Sequence, residues 1–305
     1  MKKINFPLAI GPLVLVGLLA GIANAEHSWG SYHWDISTAD SNGAPLILGD
    51  NLALSDPNWS NSLVNASSDW NALVDPASIN PEPVLYNKVI RPEGGLNTSC
   101  DPVAGRIEVC NDAYGTDTGW LGIASIWATR GGSKHITQGV VKLNDFFFDL
   151  PLYDSDPWRD FVMCQEVGHT FGLDHQDVDF SNLNLGTCMD YTNAPDGGII
   201  VSNGFDYGDT NVHPNAHDYE TLAAIYAHLN PTAGDSDDGD GENGKGGGNG
   251  GGKKPKKADA GAEIDLNNPT EWGHAVQQDA RGRNSLFERT LPNGQVLITH
   301  VFWAF

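Results

Sequence analysis

Alternating and continuous runs of apolar residues predict a sheet in the first two thirds of the chain. β-branched and aromatic residues dominate Trp120 to Ala128 and His135 to Leu143, and a Gly131-Gly132 turn separates the two runs. This pattern is typical of neighbouring strands. Shorter strand candidates lie at Tyr32 to Ile36 and Ala44 to Leu48.

A helix is predicted directly after these strands. Asp156 is a suitable N-cap, Pro157 suits the first helical position, and Gly172 ends the helix. Between these limits, apolar residues recur every three or four positions and indicate a buried stripe. The stripe consists of Trp158, Phe161, Cys164, Val167 and Phe171.

Two further helices flank this region. Trp59 to Trp70 and Tyr219 to Leu229 both have helical spacing, and an irregular segment precedes the second of them. The strands and helices together predict one mixed domain over residues 26–231, an α+β fold with a twisted mixed sheet.

The ends of the chain differ in composition from this domain. Lys2 and Lys3 precede an apolar run from Pro7 to Ala20, and Ala23-Asn24-Ala25 offers a cleavage site. Residues 1–25 thus have the pattern of a secretory signal peptide, with a mature chain starting near Glu26. We expect a secreted protein, extracellular or, in a Gram-negative source, periplasmic. No later run approaches the ~20 apolar residues of a membrane span, so membrane insertion is not expected.

A linker is predicted near the C-terminal end. Residues 232–260 contain ten glycines, an acidic cluster and then a lysine-rich one, a composition that cannot bury a core. Residues 261–305 regain structure-forming character. The sequence TLPNGQVLITHVFWAF places a turn before an apolar strand and predicts a small β-rich appendage.

The net charge of the chain indicates which classes of macromolecule it can bind. The chain carries 17 Lys and Arg against 39 Asp and Glu, a formal net charge of −22. Nucleic acid is therefore excluded as a partner, because phosphate binding needs clustered basic residues.

A metal site is indicated by the segment CQEVGHTFGLDH. Gln165 and His169 are four residues apart on the predicted helix and project from one face. Gly172 allows a sharp turn of the chain after the helix, so the side chain of His175 can approach those of Gln165 and His169. Three ligands with an open position are typical of a catalytic metal site, and Glu166 is placed to act as a general base.

The segment resembles the H-E-x-x-H-x-x-G-x-x-H motif of the metzincin metalloproteases, with Gln165 in place of the first histidine. Downstream, GTCMDY is similar to the methionine turn of that family, with Met189 as the apolar base below the metal and Tyr191 near it. The nearest branch is gametolysin-like, because some members carry this glutamine. The resemblance covers most of residues 26–231.

The resemblance implies a metal-dependent endopeptidase. Zinc is the first choice of metal and copper the second, because Cu(II) accepts mixed nitrogen and oxygen ligands. Glu166 would act as the base, and Tyr191 would bind the metal or stabilise the oxyanion. Two alternatives stay open: a metal-binding pseudoenzyme, or a surface recognition protein that acts through its C-terminal piece.

The resemblance also implies how a substrate binds. Metzincins bind protein or peptide substrates in extended form along an edge strand, for which Ile136 to Leu143 is the candidate. The short distance between Glu26 and the first strand leaves no room for an N-terminal plug, so we expect activity without further processing. Oligomeric state is not indicated by the sequence.

Four cysteines in an exported chain suggest two disulfides. Of three possible pairings, we favour Cys100–Cys110, which closes a short loop, and Cys164–Cys188. The second pair would join the residue before Gln165 to the residue before Met189.

Overall fold

The computed structural model describes residues 27–35, 45–53, 57–72, 85–200, 204–227 and 264–305. The predicted signal peptide and the predicted linker at 232–260 lie outside the described residues. Within those ranges, no helix has the length and apolar character needed to cross a membrane.

Strands and helices follow the order expected from the sequence, with additions. The strands are β1 (His33–Trp34), β2 (Leu46–Asp50), β3 (Asn87–Ile90), β4 (Arg106–Asp112), β5 (Trp120–Ala128), β6 (His135–Asn144), β7 (Ile199–Ile200), β8 (Phe205–Asp206), β9 (His274–Gln278), β10 (Asn284–Thr290) and β11 (Val296–Trp303). The helices are α1 (Pro57–Trp70), α2 (Asp145–Phe148), α3 (Asp156–His169) and α4 (Ala216–Tyr226).

One mixed sheet organises the described part of the chain. Its strand order is β3-β2-β4-β6-β5-β11-β10-β9, and β1 pairs with β6 outside this path. β2 is parallel to β3 and β4, and β4 is parallel to β6. β5 is antiparallel to both of its neighbours, β6 and β11. A large mixed sheet with few helices fits the predicted α+β class.

Each face of the sheet has its own hydrophobic core. The core that includes α1 and α3 holds the fully buried side chains of Trp59, Phe161 and Val167. The second core brings Trp120 of β5 together with Trp272 of the C-terminal segment. Burying a large apolar side chain contributes about 1.5–3 kcal/mol, so both faces stabilise the fold.

Helix ends differ slightly from the predictions. Ser155, with extended backbone, is the N-cap of α3, so Asp156 is already the first helical residue. α4 begins earlier than predicted because the side chain of Asn215 accepts hydrogen bonds from the backbone N–H groups of His217 and Asp218. Leu229, the predicted end of this helix, lies outside the described residues.

The predicted edge strand is wrong. Ile136 to Leu143 lies within β6, which pairs with β4 on one side and β5 on the other. β4, which the sequence pattern did not predict, covers the side of β6 that was expected to be free. The C-terminal segment is β-rich as expected, but its three strands extend the main sheet through β11 instead of forming a separate appendage.

Both disulfides favoured by the sequence are present. Cys100–Cys110 closes a short loop beside β4, and Cys164–Cys188 joins α3 to a residue 24 positions later. The Cys164–Cys188 bond is buried below the residues predicted to form the active site. It therefore connects two chain segments whose relative position matters for that site.

Removing the Cys164–Cys188 bond by a double substitution to alanine should lower the free energy of unfolding by ~3 kcal/mol, because the unfolded chain regains the entropy of an open loop. Denaturant unfolding measures this loss. The same variant should also bind zinc more weakly, since Gln165 directly follows Cys164. The matched control is the Cys100→Ala, Cys110→Ala variant, which should lose stability with unchanged zinc affinity. Equal zinc affinity in both variants would contradict the prediction.

Candidate metal centre

The C-terminal half of α3 is buried along its whole circumference. Cys164 to His169 are all buried, and the indole nitrogen of Trp70 donates to the Cys164 carbonyl at 3.1 Å. Gly168 has no room for a side chain, because a Cβ there would lie 2.7 Å from both Met189 Sδ and a ring carbon of Trp70. The missing side chain lets Met189 pack directly against the helix.

The chain reverses just after α3 and brings two histidines together. Gly172 has a φ of 100°, and a Cβ there would collide with the Tyr32 carbonyl. This turn allows the Leu173 carbonyl to contact Nδ1 of His169 at 2.9 Å. Nε2 of His169 then lies 3.0 Å from Nε2 of His175. The structure thus places His169 and His175 side by side, as the motif predicts.

The contacts of these two rings fit a cation. Because Nδ1 of His169 faces a carbonyl oxygen, the proton resides there and Nε2 keeps its lone pair. Nδ1 of His175 lies 3.4 Å from the carboxylate of Asp174 and has no hydrogen-bond partner within the described residues. The Nε2 lone pair of His169 can therefore accept a hydrogen bond from Nε2 of His175 or bind a cation.

A third histidine, absent from the sequence prediction, completes the group. His300 on β11 stacks on His169 with ring centroids 3.9 Å apart and an angle of 11° between the planes. Ligand atoms of His169, His175 and His300 all lie within 4.8 Å of one another. Within the described part of the chain, neither ring nitrogen of His300 has a hydrogen-bond partner.

Burial keeps His169 and His300 neutral. It lowers the pKa of His169 to about 3, and the neighbouring His175 adds to this effect. Burial likewise holds the pKa of His300 well below its usual range, with His169 and His175 contributing. Neutral imidazole is the form that binds metals, so these two rings are in the state that zinc or copper requires.

The Gln165 side chain makes one hydrogen bond and leaves its oxygen without a partner in the described part of the chain. Its amide nitrogen donates to the Cys188 carbonyl at 2.8 Å. Its amide oxygen is fully buried and has no hydrogen-bond partner among the described residues. An unpaired buried acceptor is unfavourable, so the free oxygen is better explained by a ligand than by stability.

Glu166 lies between α3 and β5. A Cβ on Gly122 would lie 2.8 Å from its carboxylate, so this glycine creates the space that Glu166 occupies. Both carboxylate oxygens are buried, and within the described ranges neither has a hydrogen-bond partner. Burial raises the pKa of Glu166 well above its usual range.

The predicted methionine turn borders the histidines. The Met189 carbonyl accepts a 2.6 Å hydrogen bond from the backbone N–H of Gln176, which ties the turn to the His175 loop. The Tyr191 ring lies 4.3 Å from that of His175, between centroids. Its hydroxyl donates to the Val301 carbonyl of β11 at 3.5 Å, and burial raises its pKa. Tyr191 is therefore a neutral hydrogen-bond donor.

Comparisons with known proteins give little help with this site. No protein-family profile matches the chain, and no curated protein does. Among solved structures, that of myroilysin is similar with 14% identity and a TM-score of 0.30, covering 60% of this chain and 79% of that one. A similarity this weak supports no conclusion about activity.

Replacing His300 by alanine should weaken zinc binding by at least about tenfold, the loss typical of even an outer-shell partner. Competition with a chromophoric chelator measures the affinity. His274→Ala is the matched control, because His274 lies exposed on β9 of the same segment and should bind zinc like the wild type. If His169→Ala abolished zinc binding while His300→Ala left it unchanged, His300 would not be a ligand.

Proposed function

We propose that this protein is a secreted metal-dependent endopeptidase. The observation that supports this most directly is the buried carboxylate of Glu166, whose two oxygens have no hydrogen-bond partner in the described part of the chain. A buried, unpaired carboxylate is costly for stability. Glu166 lies on α3 between Gln165 and His169, where a role as general base explains why the unpaired carboxylate is kept.

The residues that would hold the metal are Gln165, His169 and His175, with His300 as a fourth. Zinc is the first choice and copper the second. When bound, the metal supplies Lewis acidity, which makes a water molecule more acidic and a peptide carbonyl more electrophilic.

The remaining work falls to side chains of the protein. Glu166, whose ionised form the positive charge of a bound metal would favour, would then take a proton from the attacking water and transfer it to the amide nitrogen that leaves. The Tyr191 hydroxyl, a neutral donor, stabilises the negative charge that develops on the carbonyl oxygen. Buried surroundings strengthen both interactions, because little water competes with them.

A second candidate is a metal-binding protein without peptidase activity. The observation in its favour is His300, since a fourth protein ligand would close the position that a catalytic metal keeps open. In this candidate, Glu166 and Tyr191 are remnants without a role. The two candidates differ in whether Glu166 matters for a reaction.

Glu166→Gln should reduce hydrolysis of unfolded casein by ~100-fold or more while zinc content stays near that of the wild type, because the base is lost and the ligands remain. Glu220→Gln is the control, since Glu220 is exposed on α4. Both variants and the wild type are assayed intact and after a protease cut between residues 246 and 252. The cut form is included because β11 pairs with β5 in the intact chain and so occupies the edge on which an extended peptide would bind. A zinc-loaded wild type inactive in both forms would favour the second candidate.

A further inference from the structure

β11 occupies the edge of the sheet that borders the metal centre. It pairs antiparallel with β5 from Val296, opposite Ala128, to Trp303, opposite Trp120. Without residues 264–305, β5 would be an edge strand, because β9, β10 and β11 all come from that segment. An extended peptide binds a free edge through this kind of backbone pairing.

Two side chains of β11 fill the site as those of a bound peptide would. Alternate residues of a strand share a face, so His300 and Phe302 both point toward α3. His300 reaches the two histidines of the metal centre. Phe302 packs among aromatic rings with centroid distances of 4.9 Å to Tyr191, 5.4 Å to Phe161 and 6.0 Å to Phe180.

The backbone between these side chains also contacts the predicted machinery. The Val301 carbonyl lies between His300 and Phe302 in the sequence and accepts from the Tyr191 hydroxyl. Tyr191 is the residue expected to stabilise a substrate carbonyl. One strand thus supplies the backbone pairing, a histidine for the candidate metal centre, a side chain that fills the aromatic pocket and a carbonyl for Tyr191.

Non-covalent contacts hold this strand in place. Both disulfides lie between residues 100 and 188, so neither attaches the C-terminal segment. At its end, the Ala304 N–H donates to the Gly119 carbonyl at 3.0 Å, and the Phe305 N–H donates to the Tyr153 hydroxyl at 2.7 Å. The connection to the rest of the domain runs through the glycine-rich residues 232–260. A covalent tether maintains a high effective concentration of the segment, which a single cut would abolish.

We propose that β11 is a tethered, substrate-like ligand of the peptide-binding groove that keeps the intact chain latent. When β11 is absent, the groove binds an extended peptide and places a large aromatic side chain in the Phe302 pocket. The proposal rests on the endopeptidase function for its latency, but the occupation of the groove can be tested separately. It replaces the expectation that the mature protein is active without processing.

The test uses the full-length protein with a site for a sequence-specific protease inserted between residues 246 and 252. The control carries the same insertion with one residue changed so that it cannot be cut. Both are loaded with Co(II), whose visible spectrum responds to the number of ligands, cut, and diluted to nanomolar concentration. Hydrogen exchange of the β5 amides, the Co(II) spectrum, and hydrolysis by the zinc form are then measured.

Cutting and dilution should speed exchange of the β5 amides, change the Co(II) spectrum and raise hydrolysis by ~100-fold over the uncut control. After the cut, the His300→Ala, Phe302→Ala double variant should release the C-terminal segment at a higher protein concentration than the wild type does, because two of the side chains that hold the segment are gone. The His274→Ala variant should release it at the same protein concentration as the wild type. The protein that has lost its C-terminal segment should cleave a peptide with phenylalanine at the position that enters the Phe302 pocket ~10-fold faster than the same peptide with alanine there.

Three outcomes separate the possibilities. If the uncut control hydrolyses casein as fast as the cut protein, the groove is not blocked and the proposal is wrong. If the cut double variant keeps slow exchange in β5 and an unchanged spectrum, β11 is a permanent strand and the proposal is also wrong. If exchange and spectrum change but no peptide is cleaved, β11 does occupy the groove and the endopeptidase function fails.

Discussion

The backbone ladder between β5 and β11 determines both the place of the C-terminal segment in the sheet and the presence of His300 at the candidate metal centre. Through this ladder, the last 42 described residues, 264–305, join a sheet built otherwise from residues before 145. Every residue of β5 is buried, and β11 covers the edge that β6 leaves free. The same ladder sets the register of β11, and this register places His300 at the other two histidines and Phe302 against Tyr191. A slip of one residue would turn both side chains to the opposite face.

Local patterns predicted the residues that lie close together in the sequence. The spacing of Gln165, His169 and Gly172 needs only helical geometry and one sharp turn, and the structure has both. β5 and β6 were recognisable from their composition for the same reason. The helix boundary was less accurate, because Ser155 and Asp156 are both good caps and tertiary packing decides between them.

Long-range pairing is what the sequence did not reveal. The pattern predicts β6 as the edge strand because it gives no signal for β4, part of which lies inside the Cys100–Cys110 loop. A better signal was available in β5, whose sequence WLGIASIWA is apolar at both odd and even positions. Such a run is typical of a strand covered on both faces, whereas an edge strand is usually more polar. His300 carried a similar signal, since it shares a strand face with the apolar residues Val296, Ile298 and Phe302. A histidine on an otherwise apolar face needs a partner, but only the fold shows which one.

His300 also gives the glutamine in the motif a physical explanation. An amide oxygen is a neutral and weaker donor for zinc than imidazole, so a site with Gln165, His169 and His175 alone holds its metal less tightly than three histidines would. The structure restores the number of imidazoles to three by bringing His300 from the C-terminal strand. The weak ligand at position 165 and the additional one at position 300 are then parts of one arrangement. With β11 in place, three imidazoles are available to a metal. If β11 leaves as we propose, the proposed ligands Gln165, His169 and His175 would leave an open position. In the proposed site, Gln165 would therefore make metal binding depend more strongly on β11 than a third histidine on α3 would.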